Sequence, residues 1–279
     1  MSRPAHLLNE DHALTRKQRR ERARTERKAL ERAAVAGAAQ RTRMTQLAIV
    51  VSVVVAGIVA ILIATAGSSA VKKIAPETAA ARSVDSSVTT LLAGLPQNGN
   101  VLGRPTAPVT LEYFGDLECP VCRSFTVNAL PPIIGKWVRS GQLRIEYHSL
   151  ETATREPEVF KSQQVAALAA GQQQKMWNFI EIFYHEQGDE DSGYVTEGYI
   201  QGIAKQLPGL NLTQWTSERN DPTLAGQVES DAQAANNAGF NGTPSFLIGR
   251  SGGAMTKLEP NSYSQAVPFD QAIEKLAKS

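Results

Sequence analysis

Only two cysteines occur in 279 residues, Cys119 and Cys122, separated by Pro120 and Val121. Thiols at this spacing offer three chemistries: a reversible dithiol/disulfide pair, a structural bridge, or half of a metal site. A bridge closing so short a loop contributes only about 2 kcal/mol, against ~3 for a fifteen-residue loop. A zinc site would need further ligands, yet there is no second CxxC. His6 and His12 lie in a remote tail, and His148 and His185 lack ligand-like spacing. The redox pair is the favoured reading.

The elements that must position this pair are legible around it. In VTLEYFGDLECPVCRSF, Val109 to Phe125, a β-rich run stops at Gly115-Asp116 and the CxxC opens a helix. With Cys119 at the helix N-cap and Pro120 at the first helical position, where its missing N–H costs nothing, Cys122 falls one turn along on the same face. The helix dipole and free amide groups then depress the Cys119 pKa and make it the attacking thiolate. Cys122, one turn inside, is the resolving thiol of a cycle that passes through a mixed disulfide on Cys119.

Residues 1 to 43 carry twelve Lys/Arg against five acids and no apolar stripe, so they form a solvated basic arm. Met44 to Val71 holds no charge, and Leu47 to Ala66 is almost entirely Ala, Val, Ile, Leu and Gly. That length spans a bilayer, and residues 44–70 are read as one transmembrane anchor. A secretory signal is the alternative, since Ala64-Thr65-Ala66 resembles a cleavage site, but signal cores are only ~7–15 residues long. Positive-inside topology keeps the arm cytoplasmic and places the remainder outside, in a single pass. The arm's charge is thus a topology signal, and no nucleic-acid partner is expected. From residue 67 onward 17 bases face 22 acids, so the exported part has the opposite sign. Cysteines outside the cytoplasm meet an oxidising environment, which suits a disulfide exchanger.

Residues 71–83 form a small-residue, proline-containing tether, and the folded unit, residues 84–279, begins with Val84, Val88, Leu91 and Leu95 at helical spacing. After the CxxC the helix breaks or kinks at Pro131-Pro132, resumes through Trp137 and Val138, and ends at Gly141. Leu143 to Tyr147 alternates as a strand, parallel to the first in a βαβ unit. Residues 156–240 read as helical blocks separated by Gly and Pro, an insertion that either packs the core through Trp177, Phe179, Phe183 and Trp215 or faces substrate. Strand character returns at Thr243 to Gly249. A short strand near Met255 to Leu258 and a helix through Phe269, Ile273 and Leu276 complete an α/β order of βαβ, helical insert, ββα.

LAGLPQNGNVLG, APVTLEYFGDLECPVC, a helical insert and GFNGTPSFLIG, in that order, resemble the membrane-anchored type of bacterial DsbA-like thioredoxin-fold oxidoreductases over Val84 to Lys278. The resemblance implies a thioredoxin fold with an inserted helical domain, and Thr243-Pro244 as a loop facing the cysteines with Pro244 cis. A proline there leaves backbone groups free to pair with an extended peptide; read without the resemblance, Pro244 is a strand-start proline. Glu112 falls, one residue out of step, where thioredoxin-fold proteins carry a buried carboxylate behind the resolving thiol and would relay its proton. A strand-surface glutamate is the other reading. Val121 departs from the pattern, because the best-known oxidant of the family has histidine before its second cysteine.

The expected activity is thiol:disulfide oxidoreduction on exported cysteine-containing proteins, without a cofactor and with reoxidation by a quinone-linked membrane partner. Two rivals are a thiol reductase or isomerase using the same sulfurs, and a non-catalytic envelope module that binds peptides around a structural disulfide.

Overall fold

The structure, a computed structural model, describes residues 79–278. The basic arm, the anchor and most of the tether lie outside the described residues. Among those described, no helix is long and apolar enough to cross a membrane.

Helix α1 (Ala79–Leu92) begins inside the stretch read as tether, where alanines 79–81 favour helix over coil. Val88 and Leu92 are buried, with Val84, Leu91 and Leu95 packed beside them. Arg139 caps its C-terminal end, donating to the carbonyls of Leu91 (2.7 Å) and Ala93 (3.0 Å). Next comes a hairpin with no signature in the sequence, β1 (Gln97–Asn98) and β2 (Val101–Leu102). Two-residue strands carry no measurable alternation; Gly99, at φ +56°, makes their turn. The hairpin grips the helical insertion. Gln97 accepts from the Trp177 backbone N–H (3.1 Å) and donates to Asn178 Oδ1 (2.8 Å), and Trp177 Nε1 donates to the Asn100 carbonyl (3.1 Å).

Strand β3 (Val109–Gly115) is buried along almost its whole length, as befits a central strand covered on both faces. It pairs parallel with β4 (Leu143–Ser149), from Val109↔Leu143 to Gly115↔Ser149, as the βαβ reading requires. Its other edge pairs antiparallel with β5 (Ser245–Arg250), which pairs with β6 (Met255–Lys257). The six-stranded order is β1-β2-β4-β3-β5-β6.

The crossover from β3 to β4 is helical from Pro120 to Val138. It opens as α2 (Pro120–Ser124), widens to a π segment (Phe125–Ala129), tightens as α3 (Leu130–Ile133) and widens again (Ile134–Val138). The expected break at Pro131-Pro132 is replaced by these wide turns. The prolines have no N–H to donate, and i→i−5 bonds from Leu130 to Phe125 and from Arg139 to Ile134 carry the helix past them.

The insertion comprises α4 (Pro157–Gln172), α5 (Met176–His185), α6 (Glu197–Gln206), α7 (Leu212–Glu218) and α8 (Pro222–Asn237). Prolines at the first turns of α4 and α8, and the side-chain caps Thr196, Asn211 and Asp221, set their starts. Trp177, Phe179, Phe183 and Trp215 are buried, as packing residues should be. Helix α9 (Val267–Ala277) closes the core with Phe269 and Ile273. There Tyr113, Phe125, Phe246 and Phe269 meet edge-on, tilted or stacked, at centroid separations of 4.8–5.4 Å.

Candidate functional site

The two cysteines sit at the carboxyl end of β3, where α2 begins. Cys119 is the N-cap, with extended backbone (φ −72°, ψ 121°), and its sulfur accepts from the Cys122 amide at 3.5 Å. Pro120 follows at the first helical position. Both cysteines are free thiols. Cys119 keeps 6% of its surface exposed and Cys122 none, while Val121 between them is 43% exposed. Cys119 therefore keeps a narrow margin of exposure in front of a sealed Cys122.

The opposing loop comes from far along the chain. The Thr243-Pro244 bond is cis, and the Thr243 carbonyl lies 3.4 Å from Cys119 Sγ. The Thr243 hydroxyl bonds that of Thr152, tying this loop to the one after β4. Of the residues named from the sequence, the structure thus brings Cys119, Cys122, Thr243 and Pro244 together.

It puts Glu112 elsewhere. Residue faces alternate along a strand. Tyr113 points toward Thr126 and Tyr184 on the cysteine side, whereas Glu112 faces Glu146 and His148 on the other side of the sheet. Tyrosines lie among the polar groups near Cys122, with Thr243 and the Asp116 backbone. Tyr113 Oη donates to Tyr184 Oη (3.1 Å), which donates to the Asp116 carbonyl (3.1 Å).

Two carboxylates adjoin the motif that sequence reasoning did not single out. Asp116, fully buried, accepts from the backbone amides of Glu118 (3.0 Å), Thr152 (2.9 Å), Ala153 (2.8 Å) and Thr154 (2.9 Å), and from the Thr154 hydroxyl (2.6 Å). It stitches the turn before the CxxC to the loop after β4. An aspartate where a strand runs into a helix was the available signal, but apart from the Glu118 amide its partners, on Thr152, Ala153 and Thr154, lie more than thirty residues away. Glu118 is buried beside a cleft of about 250 Å³ lined partly by Thr154, Val159 and Val195. Burial, with the Asp116 carboxylate adding, pushes its pKa up to about 7.

The insertion holds the motif from behind. Gln187 Nε2 donates to the carbonyls of Leu117 (2.8 Å) and Cys119 (3.2 Å), and Arg123 Nε to that of Tyr184 (2.9 Å). These contacts extend the insertion's packing role to the site itself.

The electrostatics separate the two sulfurs. Hydrogen bonding from Cys122 is the largest influence on Cys119; with Thr243 and the Cys122 and Val121 amides adding, it overcomes burial and lowers the thiol to about 6. Burial first, then the neighbouring sulfur, drives Cys122 well above the ordinary thiol range. At neutral pH one sulfur is an anion and the other a thiol. Alkylation of reduced Cys119 by iodoacetamide should rise with pH and reach half its plateau near pH 6, with Cys122 unreactive in the folded chain. A midpoint near that of a free thiol would contradict the hydrogen-bond assignment. Stability follows the same sign. The folded pKa is depressed, so the thiolate's contribution is fully present above the unfolded thiol value and is lost as pH falls through about 6.

A family model described as thioredoxin matches residues 96–266. Disulfide bond formation protein D of Bacillus subtilis (strain 168) is 27% identical over 153 residues, which are 53% of this chain and 66% of that protein. Probable disulfide bond formation protein D of Bacillus anthracis is 26% identical over 154 residues, covering 53% and 68%. The chain thus spans about two thirds of the length of these curated relatives. Among solved structures, oxidised BdbD from Bacillus subtilis superposes with a TM-score of 0.55 at 22% identity, over 67% of this chain and 98% of that one. Wolbachia pipientis α-DsbA1 gives 0.54 at 20% identity, over 67% and 92%. At such identities these structures speak for the fold, an α/β thioredoxin-like sheet with inserted helices. The family match, with these curated relatives and a CxxC at the head of its helix, shows that the chain belongs to the thioredoxin family, among its DsbA-like disulfide oxidoreductases.

Proposed function

We propose that this protein is a membrane-tethered thiol:disulfide oxidoreductase that forms or exchanges disulfides in exported proteins, with Cys119 as nucleophile and Cys122 as resolving thiol. The observation that carries the reading is the divided pair of sulfurs: one at the edge of the surface, lowered to about 6, in front of a fully buried one raised well above the thiol range. In the oxidised enzyme a substrate thiolate attacks Cys119 Sγ. The Cys119–Cys122 bond breaks, its electron pair passes to Cys122, and that sulfur takes a proton. A second substrate thiolate then attacks its partner sulfur and expels Cys119 as thiolate. Substrate leaves with a disulfide, and the enzyme holds the two electrons as a dithiol.

The low pKa of Cys119 favours this direction, because an acidic thiol leaves faster and stabilises the reduced enzyme. A value of about 6 stands between thioredoxin, about 7, and DsbA, about 3.5. This agrees with Val121, whose side chain supplies neither hydrogen bond nor charge, and supports an oxidant of moderate strength. The Thr243-Pro244 loop offers backbone groups to an extended substrate beside the sulfurs. Glu112 has no part in this proposal.

The architecture proposed from sequence is a cytoplasmic basic arm (1–43), one transmembrane anchor (44–70), a tether (71–83) and an extracytoplasmic catalytic domain (84–279). Exported cysteine-containing proteins are its substrates and a quinone-linked membrane protein its reoxidant. The full-length Cys122→Ala protein, which has lost the resolving thiol, should accumulate mixed disulfides through Cys119 with exported proteins, visible as reductant-sensitive adducts on non-reducing gels. If it formed no more adducts than a protein with both cysteines replaced, the non-catalytic peptide-binding reading would prevail.

A further inference from the structure

The face of the sheet away from the cysteines carries a second cluster. Glu112 on β3 and Glu146 on β4 are direct partners across the parallel ladder. His148, two residues after Glu146, points to the same side. One oxygen of each carboxylate and one ring nitrogen all lie within 4.8 Å of one another. Two carboxylates opposed across adjacent strands repel. Arg144 relieves only one of them, with Nη2 lying 3.0 Å from Glu146 Oε1. Glu112 makes no hydrogen bond or salt bridge among the described residues, although its neighbours half-bury it.

The histidine is oriented from behind. Its Nδ1 lies 2.9 Å from Asp231 Oδ1 on α8. Asp231 is itself buried and fixed by the Ser149 amide and hydroxyl (2.9 Å each) and by Gln227 Nε2 (2.9 Å). The imidazole also stacks on Phe114, centroids 4.8 Å apart. Its Nε2 is buried without a hydrogen-bond partner. A carboxylate holding one imidazole nitrogen while the other is left without a partner, in a ring that lies beside two further carboxylates, matches a metal-ligating histidine and its supporting acid. One nitrogen and two carboxylate oxygens suit a borderline divalent ion such as Zn²⁺ or Mn²⁺ better than a thiophilic one, with water completing the shell.

We propose that Glu112, Glu146 and His148 Nε2 bind a divalent transition-metal ion, with Asp231 as the positioning residue for the histidine. The ion would pin β3 to β4 and, through Asp231, to α8, on the opposite side of the strand that leads into the CxxC. It takes no part in thiol exchange.

The test uses metal-stripped full-length protein in its disulfide form, so that no thiolate competes. Zn²⁺ titration should show one saturable equivalent and a raised melting temperature. Co²⁺ should give visible d–d bands without sulfur-to-cobalt charge transfer. Glu112→Gln and His148→Gln should each weaken Zn²⁺ binding by about 100-fold or more, and Asp231→Asn by about 10–100-fold. Melting of each metal-free variant reports whether it folds. Glu112→Gln keeps its shape on a half-buried strand face, so it serves if the histidine variant does not fold. Absence of a one-to-one complex, or Zn²⁺ affinity unchanged in folded Glu112→Gln, would overturn the proposal and leave the redox reading untouched.

Discussion

Asp116→Ala is expected to lower the melting temperature of the reduced protein by roughly 6–20 °C. Removing the carboxylate leaves four backbone amides and a threonine hydroxyl without their acceptor in a fully buried site. Loss of a buried, multiply bonded charge costs about 3–5 kcal/mol, and a domain of this size loses about 2–4 °C per kcal/mol. Asp116→Asn, which keeps the volume and one acceptor oxygen, should fall between the alanine variant and the parent. Differential scanning calorimetry of the three proteins checks the order. An alanine variant melting within about 2 °C of the parent would mean that the freed amides find water or other acceptors.

Cys119→Ser should reduce oxidation of a reduced model peptide to the uncatalysed background. The hydroxyl cannot form the interchange disulfide, and its ionisation lies far above that of a thiol already lowered to about 6. Cys122 cannot substitute for it, being wholly buried and held as a neutral thiol. The measurement is a stopped-flow or fluorescence assay on equal amounts of folded parent and variant. A serine protein that still turned over would move the attacking sulfur to position 122 and with it the whole reading of the site.

The parts of this fold that are legible in the sequence are those written in local chemistry. Pro157 and Pro222 open helices, Gly141 ends one, and alternation along Leu143 to Tyr147 matches a strand with one face inward. Cys119 and Cys122 were readable because spacing, proline and strand end fall within a few residues. The Thr243-Pro244 loop was different. Nothing local distinguishes that proline from one that starts a strand, and only the family likeness pointed to it. Asp116 escaped because its role consists of amides supplied by Thr152, Ala153 and Thr154. Glu112 was expected behind the resolving thiol, but the parity of β3 turns it toward His148. A shift of one position along a strand exchanges its faces, so the extra residue at Asp116 already bore on which side the glutamate would take.

The pairing of Cys119 with the carbonyl of Thr243 spans 124 positions. At translation rates of about 5–20 residues per second, the motif exists for roughly 6–25 s before its facing loop has been made. Until then both sulfurs belong to a peptide whose central strand lacks its β5 neighbour. The nascent chain carries both cysteines before Thr243 and β5 are there to meet them, so the site is complete only when the last strands join the sheet.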